Sequence, residues 1–413
     1  MAEEQEPTFA AFIPPRLMKL GGIANWPNAD VPLGAQVNEY IPALCKVPFD
    51  LLFKDDPVAM AECTLLVWEY IGIDLLVLNT DCYNFEAETL GAKLSFYEDH
   101  IPDVDRSDPF IKGKDDLDKI KFTGFEGSRI PYLVEYCKAY KKYSGLDTVP
   151  SFSGPWSIAA NLYGLENLIV DAVCEPEFTH EFMSRLVQDF LIPFHKALAE
   201  LIPGMQGTTL ADAIGSPPLV SKEIFEEFVA PYATDLLNSY EANGILKYNG
   251  VWGISSYEGE ERDDFVRKLI AAEGTLGVFD PDVMLVGPDY YRKIADEQLA
   301  PLMYGLSTNI LQDGTPAEVA EAVKSYVLGG KAGITPFLMF LSNIAPATPI
   351  INIRTAVEAT HVYGAPGATA DTPFEPLGEI ESFEDFLRGK IADNEEGYTF
   401  AWLEKSGYDY LIK

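Results

Sequence analysis

The 413-residue sequence is poor in basic side chains and in histidine. It has 30 lysines and arginines against 64 aspartates and glutamates, for a formal net charge of −34, and it has four histidines. Because this charge repels phosphate backbones and anionic lipid surfaces, we expect neither a nucleic-acid partner nor a membrane partner. The acidic excess is explained by solubility, by a dock for a basic partner surface or by salt adaptation, and the sequence leaves these alternatives open.

Cysteine pairs and long apolar runs are also lacking. The five cysteines are widely separated and contain no CxxC pair, which predicts neither a disulfide framework nor a thiolate zinc knuckle. No apolar run approaches the roughly 20 residues that span a bilayer, and the N-terminal MAEEQEPTF is acidic rather than a basic leader. We therefore expect a cytoplasmic protein.

Short apolar runs alternate with amphipathic helical stretches along most of the chain. This alternation is typical of parallel strands joined by crossover helices. About eight alternations over roughly 300 residues favour an α/β fold closed into a (β/α)8 TIM barrel over an open doubly wound sheet, and no strand ends in GxGxxG. The predicted strands include DLLVLNTD, TVPSFSGPW, GTTLADA, ILKYN, GTLGVFD, PLMYGLS and GITPFLMF.

Capping residues mark two of the predicted helices. Ser221 is the expected N-cap and Gly244 the expected C-cap of SKEIFEEFVAPYATDLLNSYEANG, and Thr315 is the expected N-cap of TPAEVAEAVKSYVLGG. We expect the barrel to occupy residues 41–364, with an N-terminal extension of residues 1–40 and a C-terminal extension of residues 365–413 that packs on it.

The catalytic groups of such a barrel lie at the carboxyl ends of its strands. Polar residues at these strand ends are candidates for catalysis, but each also has a possible structural role. Asp81 would cap a helix or form a turn, Asp280 would form an Asp-Pro turn, and Lys247 would form a salt bridge. The aromatic residues near these ends suit a flat apolar substrate such as a methoxylated aromatic. Two alternatives stay open: the rings pack in the core, or they form a cation-π cage around a quaternary ammonium methyl donor. The candidates are Asp81, Tyr83, Trp156, Asp212, Lys247, Tyr248, Asn249, Trp252, Asp280, Asn309, Phe340 and Ser342.

Several blocks between about residues 60 and 362 resemble the uroporphyrinogen decarboxylase superfamily, which implies the barrel fold. They are GPWSIAANLYGLENLIVDAVCEPEFTHEFMSRLV, SKEIFEEFVAPY, YGLSTNILQDGTPAEV and ATPIINI, in that order. EAETLGAKLSFYEDHIPDV is similar to a block of its cobalamin (corrinoid)-dependent methyltransferase branch, whose barrels receive a separate corrinoid protein. The decarboxylase branch matches less well, because only Arg16 and Lys19 stand where those enzymes have an arginine-rich segment for a polycarboxylate.

The resemblance also concerns zinc. Thiol-activating members of the methyltransferase branch hold zinc with a His-x-Cys pair and a later cysteine, and this sequence has Lys247, Asn249 and Ser342 at those positions. None of the three is a good zinc ligand, so a thiolate-type site is absent, while zinc at an oxygen-rich site stays open with unknown ligands.

The resemblance implies a methyltransferase that moves a methyl group from a small donor to cobalt. The chain has no DxHxxG motif, so the cobalamin would be carried by a separate corrinoid protein. We expect an O-demethylase with Asp81, Asp212, Lys247 and Asn249 in catalysis, and with the other candidates in substrate binding. A decarboxylase-like lyase and a non-catalytic small-molecule-binding barrel are the alternatives, and a homodimer stays open.

Overall fold

The computed structural model describes residues 30–76, 78, 81, 83–202, 205, 207–242, 246–250, 252–393 and 400–413. For residues 76, 207, 209, 241, 242, 246–250 and 272 it describes only the backbone. Within these ranges there are eight parallel strands and one antiparallel pair. The parallel strands are β1 (Leu33–Ala35), β2 (Leu75–Leu76), β5 (Ser151–Ser153), β6 (Gly207–Ala211), β7 (Leu246–Gly250), β8 (Leu276–Phe279), β9 (Leu302–Leu306) and β10 (Phe337–Leu341), and the pair is β3 (Leu94–Ser95) with β4 (Asp103–Val104).

The parallel strands follow one another around a barrel. One arc has the order β2-β1-β10-β9-β8 and the other has the order β5-β6-β7. The Leu78 N–H donates to the Val149 carbonyl at 3.2 Å and joins β2 to β5, while β7 lies beside β8. The first strand pairs with the last, with Gly34 opposite Phe340. The predicted (β/α)8 TIM barrel is therefore confirmed.

Helices cover the outer face of the strands. The outward-facing Tyr304 of β9 is buried and donates its hydroxyl to the Pro288 carbonyl, whereas the adjacent Met303 faces the barrel interior. The core therefore lies between the strands and the surrounding helices. The α-helices are Tyr40–Cys45, Pro57–Ile71, Asn84–Leu90, Ile130–Ser144, Pro155–Tyr163, Leu165–Cys174, Pro176–Arg185, Ile192–Leu201, Lys222–Ile224, Ala230–Ala242, Gly259–Glu273, Asp282–Val286, Pro288–Glu297, Thr308–Asp313, Pro316–Lys331, Ile350–Gly364 and Phe383–Ala392.

Tighter and wider helical turns interrupt or extend these helices. The π-helical turns Leu186–Leu191 and Phe225–Val229 join successive α-helices into continuous runs, and a third is Leu51–Asp55. The 3-10 turns are Lys114–Lys119, Ala213–Gly215, Ile254–Ser256, Ala401–Lys405 and Asp409–Ile412.

Local sequence signals explain where two helices begin. The Ser221 hydroxyl accepts from the Ile224 N–H at 3.3 Å, as a predicted N-cap should. Thr315 accepts from the Glu318 N–H at 3.3 Å, and the Glu318 carboxylate accepts from the Thr315 N–H at 2.8 Å. This reciprocal capping box stabilises the start of helix Pro316–Lys331. The predicted C-cap Gly244 lies outside the described residues.

The first and last described segments, which begin at residue 30 and end at residue 413, both belong to or pack on the barrel. Strand β1 lies within residues 1–40, the segment that we expected to precede the barrel. At the other end, the Phe383 ring lies 5.1 Å from the Tyr70 ring of helix Pro57–Ile71, and Trp402 is buried. The domain boundaries themselves stay a prediction. None of the helices in the described ranges combines the length and the apolar character needed to cross a bilayer.

Candidate functional site

A cavity of about 510 Å³ lies inside the barrel towards the carboxyl ends of the strands. Residues from seven of the eight described parallel strands, and from the turns that follow the strands, line it. Pockets that bind small molecules are commonly of this size and are walled by apolar groups with a few polar ones. The lining consists of Gly34, Gln36, Asn38, Leu75, Ser151, Leu210, Ala211, Trp252, Phe279, Asp280, Met303, Ser307, Thr308, Asn309, Leu338, Phe340, Ser342 and Asn343.

Glycines in two strands make room for the aromatic lining. A Cβ at Gly305 would lie 2.1 Å from Cδ1 of Phe279 and 2.6 Å from Oγ of Ser342. A Cβ at Gly34 would lie 2.9 Å from Cδ2 of Phe340. Since real Cβ atoms do not approach so closely, any side chain at either position would push these residues into the cavity.

Three aromatic rings form a wall of the cavity. The Trp252 and Phe279 rings stack with centroids 4.8 Å apart and an interplanar angle of 28°. Phe340 meets Phe279 edge to face, with centroids 6.2 Å apart and an angle of 89°. A flat aromatic ligand can stack on or edge against such a wall.

Asp282 holds the turn that carries Trp252. Its buried carboxylate accepts from the backbone N–H groups of Gly253 at 2.8 Å, Ile254 at 3.0 Å and Ser255 at 2.9 Å. The Ser255 hydroxyl donates to it at 2.6 Å. Four donors on one carboxylate fix the 3-10 turn Ile254–Ser256 and thereby the position of the preceding indole.

Asp280 presents a carboxyl group to the cavity. It accepts from the Tyr326 hydroxyl at 2.5 Å, from the Ser307 N–H at 3.1 Å and from the Met284 N–H at 3.3 Å. Burial raises the pKa of Asp280 above its ordinary value, although these hydrogen bonds oppose the shift. Among the described lining residues it is the one with an ionisable side chain.

The remaining polar lining consists of hydroxyl and carboxamide groups. Ser307 and Thr308 follow β9, while Ser342 and Asn343 follow β10. The Ser342 hydroxyl is buried and has no hydrogen-bond partner among the described residues. No lysine or arginine is found in the described lining. The cavity therefore offers hydrogen bonds but no described cation to a ligand.

The structure brings five of the predicted site residues together in this lining: Trp252, Asp280, Asn309, Phe340 and Ser342. The strand-end rule selected three of these, Asp280, Asn309 and Ser342, because the barrel gathers the exits of successive strands at one face. Their roles in binding stay a prediction, and Asn309 is the exposed member at the rim.

Asp81 and Tyr83 are not in the described lining. Asp81 is buried and its Oδ2 accepts from Arg129 Nη2 at 2.7 Å, in an ion pair that Glu88 shares through Arg129 Nε at 3.0 Å. Burial raises the pKa of Asp81, and the Arg129 guanidinium opposes this shift. Tyr83 is half-buried and precedes helix Asn84–Leu90 with a φ of 58°.

Asp212 and Trp156 meet each other outside the described lining. The fully buried Asp212 carboxylate accepts from the Ser157 N–H and hydroxyl, both at 2.7 Å, and from the Trp156 N–H at 3.3 Å. Burial raises the pKa of Asp212, and the hydrogen bonds from Ser157 oppose this. Asp212 therefore ties the exit of β6 to the first turn of helix Pro155–Tyr163, next to the fully buried Trp156 ring.

The side chains of Lys247, Tyr248 and Asn249 lie outside the described part of the chain. Their backbone belongs to β7 and pairs with that of β6.

Several residues in or next to the cavity lining were not predicted from the sequence. Gln36 and Asn38 line the cavity after β1, a strand that the sequence did not predict. Tyr326 reaches Asp280 from a helix 46 positions further along the chain, so no local pattern could reveal it. Outside the described lining, fully buried Glu86 accepts from the Ser153 N–H at 3.0 Å, and burial raises its pKa to about 8.

The donor set does not suit thiolate-bound zinc. Lys247, Asn249 and Ser342 offer an ammonium, an amide and a hydroxyl group, and zinc prefers thiolate, imidazole and carboxylate ligands. In the described ranges, no three His, Cys, Asp or Glu side chains come together as a metal site. Lys247, Asn249 and Ser342 therefore do not fit a thiolate-type zinc site.

Comparison with known proteins identifies the family of this chain, a methyltransferase relative and a solved structure with the same fold. The family model of uroporphyrinogen decarboxylase (URO-D) matches residues 34–363, and the chain belongs to this family. It is similar to a methylated-thiol--coenzyme M methyltransferase of Methanosarcina mazei, with 26% identity over 366 residues that cover 87% of this chain and 90% of that protein. A solved structure of a methyltransferase from Methanosarcina mazei shares its fold, with a TM-score of 0.68 and 17% identity over 86% of this chain and 98% of that one.

Proposed function

We propose that this protein is a methyltransferase that takes the methyl group of a methoxylated aromatic compound and transfers it to the cobalt of a corrinoid carried by a separate protein. The URO-D family membership and the methyltransferase relative support methyl transfer. The aromatic wall of Trp252, Phe279 and Phe340 is the observation that carries the choice of donor, because its rings can stack on a flat ring.

The place of the cavity suits transfer between two proteins. It lies towards the carboxyl ends of the strands, the face at which TIM barrels perform their chemistry. A donor held there by its ring can direct its methyl group outward, in line with a cobalt centre that a partner presents. Cobalamin cobalt in its +1 state is the nucleophile, and the aromatic oxygen is the leaving group.

The donor is expected to differ from that of the Methanosarcina mazei relative, whose name specifies a methylated thiol. A soft metal ion would activate a thiolate leaving group, and the side chains at the corresponding positions here do not suit such an ion. An oxygen leaving group instead needs a proton or a fixed positive charge. Lys247 is the proposed source of charge, with Asn249 two positions further along β7. Asp81 and Asp212 act by holding the neighbouring elements in place.

A lyase acting on a polycarboxylate is the less favoured alternative. A substrate of that kind needs several cations, and the described lining contributes one carboxyl group and no lysine or arginine. A binding barrel without catalysis shares the same cavity, so only a test of turnover separates it from the methyltransferase.

The direct test is anaerobic absorbance spectroscopy of cob(I)alamin mixed with this protein and one class of methyl donor at a time. The panel contains methoxylated aromatics, methylamines, methanol and methylated thiols, each with and without a corrinoid protein as acceptor. We expect the methylcobalamin spectrum to grow with methoxylated aromatics. Growth only with another donor class would refute the proposed donor, and silence across the whole panel would favour the lyase or the binding barrel.

A further inference from the structure

Asp280 supplies the one ionisable side chain of the described cavity lining. Its carboxyl group follows β8 and lines the cavity beside Phe279 and Trp252. The other polar groups of the described lining are amides and hydroxyls, which are too weakly acidic to protonate a phenolate near neutral pH. Among the described lining residues, Asp280 is therefore the side chain that can protonate the leaving oxygen of a substrate.

The neighbours of Asp280 are arranged as donors towards it. Tyr326 O–H and Met284 N–H donate to Oδ1, and Ser307 N–H donates to Oδ2. Burial raises the pKa of Tyr326 above its ordinary value, so this hydroxyl keeps its proton and stays a donor. The backbone N–H groups of Met284 and Ser307 cannot accept a hydrogen bond from a protonated Asp280, which leaves the Tyr326 oxygen or a ligand oxygen in the cavity as its acceptor.

The surroundings also favour the protonated form. Burial raises the pKa of Asp280, and the nearby Asp282 carboxylate acts in the same direction, against the hydrogen bonds from Tyr326, Ser307 and Met284. An aromatic ring that fills the cavity would expel water and strengthen the effect of burial. The bound donor thus helps to keep the carboxyl group protonated before the methyl group leaves.

We infer that Asp280 is the catalytic acid of this site, an inference that rests on the proposed methyl transfer from an aryl methyl ether. Cobalt(I) supplies the electron pair of the new cobalt–carbon bond and becomes methylcobalt(III). The bond between the methyl carbon and the aryl oxygen breaks, and its electron pair stays on the oxygen. Asp280 protonates this oxygen, the phenol departs, and the carboxylate regains a proton from solvent.

The dependence of the rate on the leaving group tests this role. Methyl transfer to cob(I)alamin is measured for methoxybenzenes whose phenol products range from weakly acidic, with alkyl substituents, to more acidic, with cyano substituents, which do not oxidise cobalt(I) as nitro groups would. Asp280→Asn keeps the shape of the side chain and removes the acid. We expect it to slow the alkyl-substituted donors by at least about a hundredfold and the cyano-substituted donors by less than about tenfold, because a weakly basic phenolate leaves without a proton.

Further variants separate the acid from a structural role. Asp280→Glu keeps a carboxylic acid and is expected to recover part of the rate for alkyl-substituted donors, whether or not Asp280→Asn folds well. Asp289→Asn makes the same change at an exposed position of the following helix and should leave every rate unchanged. An equal loss along the series with Asp280→Asn, or no loss, would overturn the inference while methyl transfer by the unaltered protein still stands. Failure of the unaltered protein with every donor would overturn the proposed function as well.

Discussion

Asp280 and Asp282 are two positions apart after β8, yet their neighbours give them different tasks. Asp282 is buried and its oxygens are occupied by three backbone N–H groups and the Ser255 hydroxyl. Asp280 is only partly buried, accepts from three donors and lines the cavity. The FDPD sequence shows two aspartates beside a proline, but burial and hydrogen bonding decide which one structures the turn and which one lines the cavity.

Gly305 decides how much room the ligand has. In Gly305→Ala, the new Cβ would lie 2.1 Å from Phe279, whose ring is stacked against Trp252. The Phe279 ring must then move into the cavity. We expect affinity for a methoxylated aromatic to fall by about tenfold or more, and the free energy of unfolding to fall by about 1–3 kcal/mol. Calorimetric titration and urea denaturation measure the two effects.

Gly389→Ala is the matched control for this substitution. Gly389 lies in helix Phe383–Ala392, and a Cβ there would meet nothing within 4 Å. The helix should become more stable by about 0.5–1 kcal/mol, because alanine has the better helix propensity, with unchanged ligand affinity. Unaltered affinity in Gly305→Ala as well would show that the ligand does not use this part of the cavity.

Helix Ile192–Leu201 carries a buried histidine in an apolar contact with β5 and another helix. The His195 ring lies 4.9 Å from the Phe152 ring and 5.0 Å from the Tyr240 ring, and neither ring nitrogen has a hydrogen-bond partner among the described residues. Burial lowers the pKa of His195 to about 3, because the charged ring would lose its water without gaining a partner.

The His195 environment predicts how stability depends on pH. The unfolded chain binds a proton at this histidine below about pH 6.5, and the folded chain does so only near pH 3. The stabilisation due to neutral His195 is thus complete above about pH 6.5 and is lost as the pH falls, by up to about 1.4 kcal/mol per pH unit. His195→Phe should remove this loss, so its stability relative to the original protein should rise between pH 6.5 and pH 4.5 in chemical denaturation.

The buried Glu62 and Glu86 also contribute to the pH dependence of stability. Burial raises their pKa values to about 8, which gives a pH dependence of the opposite sign, but both residues are common to the two compared proteins. Their contribution therefore cancels in the difference. A constant difference for His195→Phe would mean that the buried ring titrates as it does in the unfolded chain.

The elements were predictable where residues within one or two turns determine them. Ser221 and Thr315 cap helices through contacts three positions along the chain, so the sequence alone reveals them. Asp81 is different, because its partner Arg129 lies 48 positions away and reaches it only through the fold. The candidate site was accordingly predicted at its strand exits and missed at the residues, such as Tyr326, that helices bring to it.

The pairing of the first strand with the last explains why β1 was hard to predict from the sequence. Strand β1 is the three residues Leu33–Ala35, without a β-branched residue, and Gly34 is there to accommodate Phe340 of the last strand. Such a strand has no period of its own in the sequence, and its identity comes from pairing with β2 and β10. Gln36 follows β1 and lines the cavity, and this position could not be predicted from the sequence because it depends on the pairing of β1 with β2 and β10.

The whole molecule is expected to join a methyl donor in its barrel to a cobalt centre on a second protein. The measurement that tests this most directly uses a methoxybenzene labelled with carbon-13 in the methyl group, together with a cob(I)alamin-loaded corrinoid protein, under anaerobic conditions. The account predicts that the label appears on cobalt and that one phenol forms for each methylcobalt. Label that stays on the ether, or phenol that forms with labelled methanol and no methylcobalt, would contradict it.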